Sequence, residues 1–378
     1  MTGAWIARRD ALADASAARA FLRARLPAFF PDLPPRLAIV GAADEGRRLV
    51  GICRRLGIEV AAIADDDPAR RDTEVDGVPV VAFEALMALD RATPVVVASH
   101  RLLAAIRRLR AAGFGHACGF AALEAADPDR FPPHMFYDGW FEDLVPARDR
   151  HAALATRLAD ARSRAVLDAV TGFRLTLDPE LLAPVLDTRL YGADDLPFPP
   201  DPSVYVDAGA YDGDTVRLYL ARWGERCERV HAFEPDPATY ARLAANFAGD
   251  ARVVAHNAGL SRREGTLAFR ADATRGAILD PAGGTSVRVV ALDDVLQGGE
   301  AGVVKLNIEG AEIDALHGAA GTLRRHRPSL IVSLYHRPAD LWRIPETLDA
   351  LATGYRFYLR QHDGGTIETV LYALPAEA

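Results

Sequence analysis

A chain of 378 residues is longer than one hydrophobic core usually serves, so two domains are expected. Half of it is hydrophobic and a quarter charged, the composition of an ordinary globular protein. The formal net charge of −8 leaves no basic footprint for nucleic acid or an anionic membrane surface, and the three cysteines, Cys53, Cys118 and Cys227, lack the spacing of a disulfide framework or a zinc site.

The N-terminus, MTGAWIARRDALADAS, has no continuous apolar core of the kind a signal peptide needs, and no later stretch approaches the ~18 to 20 apolar residues of a membrane span. A cytoplasmic protein without membrane insertion is therefore expected. After this Ala/Arg-rich helical start, the proline-dense FFPDLPPRL (29–37) leads to a first strand, LAIV (37–40). DEGRRLVGICRRLG reads as a helix, VAAIAD as a strand, FEALMALD as a short helix, PVVVAS as a strand and RLLAAIRRLRAAGF as a helix. Such alternation predicts a parallel sheet with helices on its faces, a Rossmann-like α/β domain over residues 1–126. In VGAADEGRRLVG, Gly41 and Gly46 fit the first and last glycines of G-x-G-x-x-G, but Ala43 stands at the middle one and no Lys-Ser/Thr follows. Asp65 to Asp67, after the second strand, could take a ribose; the competing reading is a sheet–helix packing turn in a domain that binds no nucleotide.

Residues 127–200 read as a helical connector: an aromatic stretch (FPPHMFYDGWF), a long helical run (HAALATRLADARSRAVLDAV) and the punctuated DDLPFPPDPS. MFYDGWF is taken as the packed seam between domains, with a platform for sugar rings as the alternative. The second α/β unit, residues 201–378, opens with VYVDAG and continues through DTVRLYLARWG, RVHAFEP, ATYARLAANFA, RVVAHNAGL, GTLAFRA, SVRVVAL, VVKLNIEG, AEIDALHGAAGTL and SLIVSLYH. It closes with YRFYLRQH and TIETVLYAL, separated by DGG, a hairpin signal. A mostly parallel sheet ending in an antiparallel hairpin is the pattern of a class I methyltransferase Rossmann-like fold.

The chemistry is concentrated in VDAGAYDGDT. Gly209 and Gly213 let the backbone turn sharply, and Asp207 ends a strand where open α/β sheets bind ligands. Glu234 ends the next strand, placed to accept from two ribose hydroxyls. A dinucleotide pyrophosphate would be repelled by the carboxylates of DAGAYDGD, whereas S-adenosylmethionine carries an ammonium and a sulfonium and no phosphate.

VDAGAYDGDT, HAFEPDP, NAGLS, the LDD of VVALDDVL and VVKLNIEGAEIDALHGA resemble, in that order and spacing, the FkbM-type methyltransferases, class I S-adenosylmethionine-dependent enzymes that mainly methylate hydroxyl groups; the resemblance covers roughly residues 200 to 375. It implies that Asp207, Gly209 and Asp212 form the methionine-side loop, that Glu234 is the ribose acid, and that Asn257 and Ala258 face the adenine region. Lys305, Glu309 and Glu312 match the family pattern K-x-D-x-E-G-A-E, but Asn307 stands where members usually have Asp, which removes a charge and with it the case for a metal or base at that position. No metal is expected. SLYHRPADLW (333–342) brings His336 and Asp340 to where the acceptor should enter. O-methylation needs a hydroxyl in line with the sulfonium methyl and a base for its proton, and His336 and Glu309 are both candidates, with Lys305 a third catalytic candidate. Each has a plainer reading: Asp207 and Glu309 as helix caps, Glu234 as a solvated acid, Lys305 as an ion-pair partner, His336 as a polar residue after a strand.

The expected function is methyl transfer from S-adenosylmethionine to a hydroxyl of a sugar or related small molecule, in glycan or secondary-metabolite biosynthesis, by a chain that is compatible with a homo-oligomer. One alternative is a non-catalytic module that binds a nucleotide-sugar or cofactor on a methyltransferase fold. Another is an NAD-linked oxidoreductase using the N-terminal domain.

Overall fold

The computed structural model describes residues 3–99, 101–133, 138–191, 194–196, 201–270, 278–279 and 285–376. Two short helices, α1 (Ala4–Asp10) and α2 (Ala15–Arg23), come first; Asp14 caps α2 by accepting from the Ala17 N–H. The first sheet contains β1 (Arg36–Val40), β2 (Glu59–Ala64), β3 (Glu74–Val75), β4 (Val78–Val81), β5 (Val95–Val97) and β6 (Ala117–Gly119), ordered β3-β4-β2-β1-β5-β6. All pairings are parallel except β3 with β4. Leu37, Ala38 and Ile39 of the central β1 are fully buried, as an apolar run covered on both faces must be. Helices α3 (Asp44–Leu56), α4 (Leu102–Ala111) and α5 (Phe120–Ala126) flank the sheet, and FEALMALD forms a 3₁₀ turn, Phe83–Ala88.

Three helices connect the sheets: α6 (Trp140–Leu144), α7 (Arg148–Arg157) and α8 (Ala161–Thr176). The single helical run expected over HAALATRLADARSRAVLDAV is broken between α7 and α8. Leu158 adopts an extended conformation, the Ala159 N–H donates to the Phe357 carbonyl at 2.8 Å, and Asp160 restarts the helix by accepting from the Ser163 N–H. Residues 166–176 of α8 are buried on every side, with β16 (Tyr355–Gln361) against one flank and α1, α2 and α6 against others. The Asp168 carboxylate accepts from the N–H groups of Trp5 and Ile6, tying the start of α1 to α8. Trp140 and Phe141 of the aromatic stretch are buried, and the Trp140 indole donates to the Arg174 carbonyl; residues 134–137 of that stretch lie outside the described residues. Gly172 touches Trp5 so closely that an added Cβ would stand 2.5 Å from its ring. Gly172→Ala should therefore cost about 1–3 kcal/mol of stability by overpacking, measurable as a lower midpoint in urea with an unchanged slope.

The second unit begins with β7 (Val204–Ala208), α9 (Asp214–Trp223), β8 (Arg229–Phe233), α10 (Pro237–Asn246) and β9 (Val253–His256). A side sheet follows, built from β10 (Gly259–Leu260), β11 (Gly265–Arg270), β12 (Ile278–Leu279) and β13 (Thr285–Val290) in the order β10-β13-β11-β12. Then come α11 (Leu292–Leu296), β14 (Val303–Leu306), α12 (Glu312–Gly318), α13 (Ala320–His326), β15 (Ser329–Ser333), α14 (Asp340–Leu351), β16 and β17 (Thr369–Pro375). AEIDALHGAAGTL, expected as one helix, is two, because Gly318 is pressed against the Ser261 carbonyl and the chain kinks there.

The main sheet is ordered β16-β17-β15-β14-β7-β8-β9, parallel except for β17, which runs antiparallel to both β15 and β16. This is the seven-stranded class I methyltransferase arrangement. Chain progression reverses between β7 and β14, so the ligand crevice of such a sheet lies at their carboxyl ends. One cluster of buried apolar side chains runs from the first sheet through α8 into the second. Among the described residues, no helix is long and apolar enough to cross a membrane.

Candidate active site

At the reversal point, Asp207 of β7 lies in register with Lys305 of β14. Both side chains are buried; Lys305 Nζ donates to Asp207 Oδ1 at 2.8 Å and to the Gly209 carbonyl at 2.8 Å, and Thr215 Oγ1 donates to Asp207 Oδ2. The Asp207 carboxylate thus serves the protein's own lysine and threonine. It shapes the loop that is expected to meet the ligand. Lys305, which reaches from β14 to donate to this loop, is a tether between two strand ends. Gly209, at φ +76°, passes under Asn307 so closely that any Cβ would overlap the Asn307 carbonyl oxygen. Asp212 points outward and pairs with Arg217 at 2.9 Å.

Glu234, at the end of β8, is buried and accepts from the Tyr211 N–H at 3.1 Å and the Asp236 N–H at 2.9 Å. Burial pushes its carboxyl up to about 7 against those two donors. A carboxylate offers about four acceptor positions, so two remain for ribose hydroxyls, and the residue fits that role. Asn257 donates to the carbonyls of Glu234 and Pro235 and so fixes the turn that carries the acid; Ala258 beside it is buried.

Across the crevice, β14 runs into Asn307, Ile308 and Glu309, the last held at φ +56°, a left-handed conformation that non-glycine residues adopt chiefly where function or packing imposes it. It is Glu312, and not Glu309, that caps this turn, accepting from the Ile308 N–H at 2.8 Å. Glu312 also lies 2.8 Å from Nδ1 of the fully buried His336, whose Nε2 is 3.7 Å from Glu309 Oε2. Burial alone would lower the imidazole, but the charges of Glu312 and Glu309 outweigh it and hold His336 up at about 9. Burial raises Glu309 to about 7 despite that neighbouring cation. Of the three, Glu309 is the one with exposed side-chain surface, 22%. Asp340, also raised to about 7 by burial, accepts from the Arg337 N–H and closes the turn behind His336. The connector braces this turn: the buried Arg174 of α8 donates to the carbonyls of Pro338 and Leu334.

Three further side chains, not singled out in the sequence, complete the site. Asn307 Nδ2 donates to Tyr191 Oη at 3.0 Å, and Tyr335 Oη donates to Asn307 Oδ1 at 3.2 Å and approaches Glu368 Oε1 at 3.4 Å. Tyr191 comes from the irregular end of the connector, anchored where the Asp187 N–H donates to the Gln361 carbonyl, and its ring lies 5.7 Å from Lys305 Nζ. Glu368, at φ +62°, precedes β17. Tyr335 adjoins His336 in SLYH and could have been flagged; nothing local marks Tyr191 or Glu368.

In the N-terminal unit, Asp65 Oδ2 accepts from the Ala42 N–H at 2.7 Å, Oδ1 accepts from the Asp67 N–H, and Arg70 stands 3.4 Å away. A Cβ at Gly46 would overlap the Gly41 carbonyl. This is a closely packed turn whose acid is engaged with its own loop.

Residues 207–362 match the family model of the methyltransferase FkbM domain. Among solved structures, the chain is similar to a crystal structure of methyltransferase FkbM from Methylobacillus flagellatus KT, with 24% identity and a TM-score of 0.72 over 95% of this chain and 100% of that one. It also matches an rRNA methylase from Streptococcus thermophilus, at 15% identity and a TM-score of 0.32 over 54% of this chain and 96% of that one. A third match is an Aeropyrum pernix fibrillarin in complex with natively bound S-adenosyl-L-methionine, at 13% identity and a TM-score of 0.32 over 48% and 70% of the two chains. No curated protein matches the sequence. The first of these structures shares the fold of both units.

Proposed function

We propose that this chain, whose residues 207–362 carry an FkbM methyltransferase domain, transfers a methyl group from S-adenosylmethionine to a hydroxyl of a sugar or related small acceptor, in a cytoplasmic glycan or secondary-metabolite pathway. The observation that carries this reading is the pair of acids at the carboxyl ends of β8 and β14: Glu234, with acceptor positions left for a ribose, and Glu309, a partly exposed side chain beside a buried histidine. S-adenosylmethionine would supply a methyl group activated by a positive sulfur. The chain's own residues would do the rest. Gly209 allows close approach of the loop, Lys305 and Asp207 hold its shape, and Asn257 keeps Glu234 in place.

Of the two candidate bases, Glu309 suits the proton better. An imidazole held at about 9 already carries its proton at neutral pH and offers no lone pair, whereas a carboxyl near 7 is poised to accept one. His336 then acts on Glu309 by keeping a positive charge beside it, and Glu312 fixes the ring by bonding Nδ1.

Calorimetric titration with S-adenosylmethionine, S-adenosylhomocysteine and NAD(H) tests the cofactor. Binding of the first two and not the third is expected. Glu234→Ala should weaken that binding by ~1.5 to 3 kcal/mol through loss of charge-assisted hydrogen bonds. Unchanged affinity in a folded variant would remove the ribose assignment, and binding with no turnover on any hydroxyl acceptor would favour the non-catalytic alternative.

A further inference from the structure

We propose that Tyr191 is a specificity-determining residue that donates a hydrogen bond to the acceptor oxygen next to the one methylated, and that Asn307 is the positioning residue that leaves it free to do so. The acceptor class that fits is an uncharged vicinal diol. This rests on the methyl-transfer function proposed above.

The argument turns on the direction of two hydrogen bonds. An amide nitrogen can only donate, so in its contact with Asn307 Nδ2 the Tyr191 oxygen is the acceptor, and the phenol's own proton points elsewhere. Among the described residues, no hydrogen bond takes that proton. Burial pushes the Tyr191 phenol well above its ordinary range, so the proton stays on the oxygen. Asn307 Oδ1 meanwhile accepts from Tyr335. An aspartate at 307, the residue usual in the family pattern, would accept from both phenols and take up the Tyr191 proton.

A second observation supplies the other half of the site. Among the described residues, Glu368 Oε2 is buried without a hydrogen-bond partner, and Glu368 is close enough to Tyr191 and Glu309 to raise the pKa of both. A hydroxyl between Tyr191 and Glu368 would accept from the first and donate to the second. Its neighbour, facing Glu309, would be the one methylated. There the hydroxyl proton passes to the Glu309 carboxylate, an oxygen–carbon bond forms to the methyl group, and the carbon–sulfur electron pair returns to sulfur. A phosphate or carboxylate beside the reacting oxygen would instead meet Glu309 and Glu368, which disfavour it.

The test uses the full chain, S-adenosylmethionine labelled in its methyl group, and methyl glycosides of mannose, glucose and rhamnose together with their 2-deoxy and 3-deoxy counterparts. Wild type should prefer a diol over its deoxy partner. Tyr191→Phe, which deletes one oxygen, should reduce that preference in kcat/KM about 10-fold or more, chiefly through KM. Asn307→Asp should do the same while leaving S-adenosylmethionine affinity in place. A purely structural tyrosine would lower turnover on both members of a pair alike, and that result overturns the proposal. So does wild type that binds S-adenosylmethionine yet methylates no diol better than its deoxy partner, an outcome that leaves the cofactor assignment standing. Absence of S-adenosylmethionine binding would instead remove the parent function.

Discussion

Replacing Glu309 by glutamine is expected to lower kcat by about 100-fold or more, close to 2.7 kcal/mol in the barrier, with S-adenosylmethionine affinity retained. Glutamine keeps the size and the left-handed backbone demand of the position and removes only the capacity to take a proton. In the wild type the base works when ionised, and burial holds its carboxyl near 7, so kcat should rise with pH through about 7 and then level off. His336→Gln removes the cation that favours the Glu309 carboxylate, and the rising limb should move to higher pH. A wild-type profile with no inflection near neutrality, together with a Glu309→Gln variant of normal rate, would place the base elsewhere.

The same cluster has a stability signature. His336, at about 9, and Glu309, at about 7, both hold a proton more tightly in the folded chain than in an unfolded one. Their contribution to folding is therefore largest on the acid side and declines as pH rises, through about 7 for Glu309 and through about 9 for His336. Glu312, held below its usual range because the attraction of His336 and its hydrogen bonds offset the cost of burial, works in the opposite sense and loses its contribution in acid.

The largest stability effect is expected at Lys305. Lys305→Met removes the cation from a carboxylate that has no exposure to water, leaving a buried charge uncompensated, and should cost about 3–5 kcal/mol. Urea denaturation of the free protein measures it directly. Adding Asp207→Asn to Lys305→Met should recover a large part of the loss, because the orphaned charge is then gone. A near-neutral Lys305→Met would mean that the pair contributes little to holding β7 against β14. Affinity for S-adenosylmethionine should fall in the single variant as well, since the Gly209 carbonyl loses its donor.

The fold was legible in the sequence wherever local composition carries it. LAIV, VAAIAD, PVVVAS, VYVDA and SLIVS are continuous apolar runs because parallel strands are covered on both faces, and each is a strand. The breaks inside HAALATRLADARSRAVLDAV and AEIDALHGAAGTL were not legible, because their causes are a carbonyl of Phe357 and a carbonyl of Ser261, both distant in sequence. The site divides the same way. Asp207, Gly209, Glu234, Asn257, Glu309 and His336 all lie at or just beyond the carboxyl ends of strands of the main sheet, as their motifs suggested. What the motifs could not reveal is pairing: that Lys305 neutralises Asp207, that Glu312 supports His336, and that Tyr191 is carried in by a stretch with no periodic pattern at all.

The burial of α8 bears on how this protein could be cut, joined or inherited. A fragment starting at β7 would retain every residue of the family signature but would lose the Arg174 guanidinium behind the His336 turn and uncover the apolar flank of β16. With one apolar cluster running through both sheets, the chain should melt in a single cooperative transition, and the shorter fragment should be aggregation-prone. The unit of exchange between proteins would then be the entire two-sheet assembly, with the segment that carries the family signature inseparable from the part that braces it.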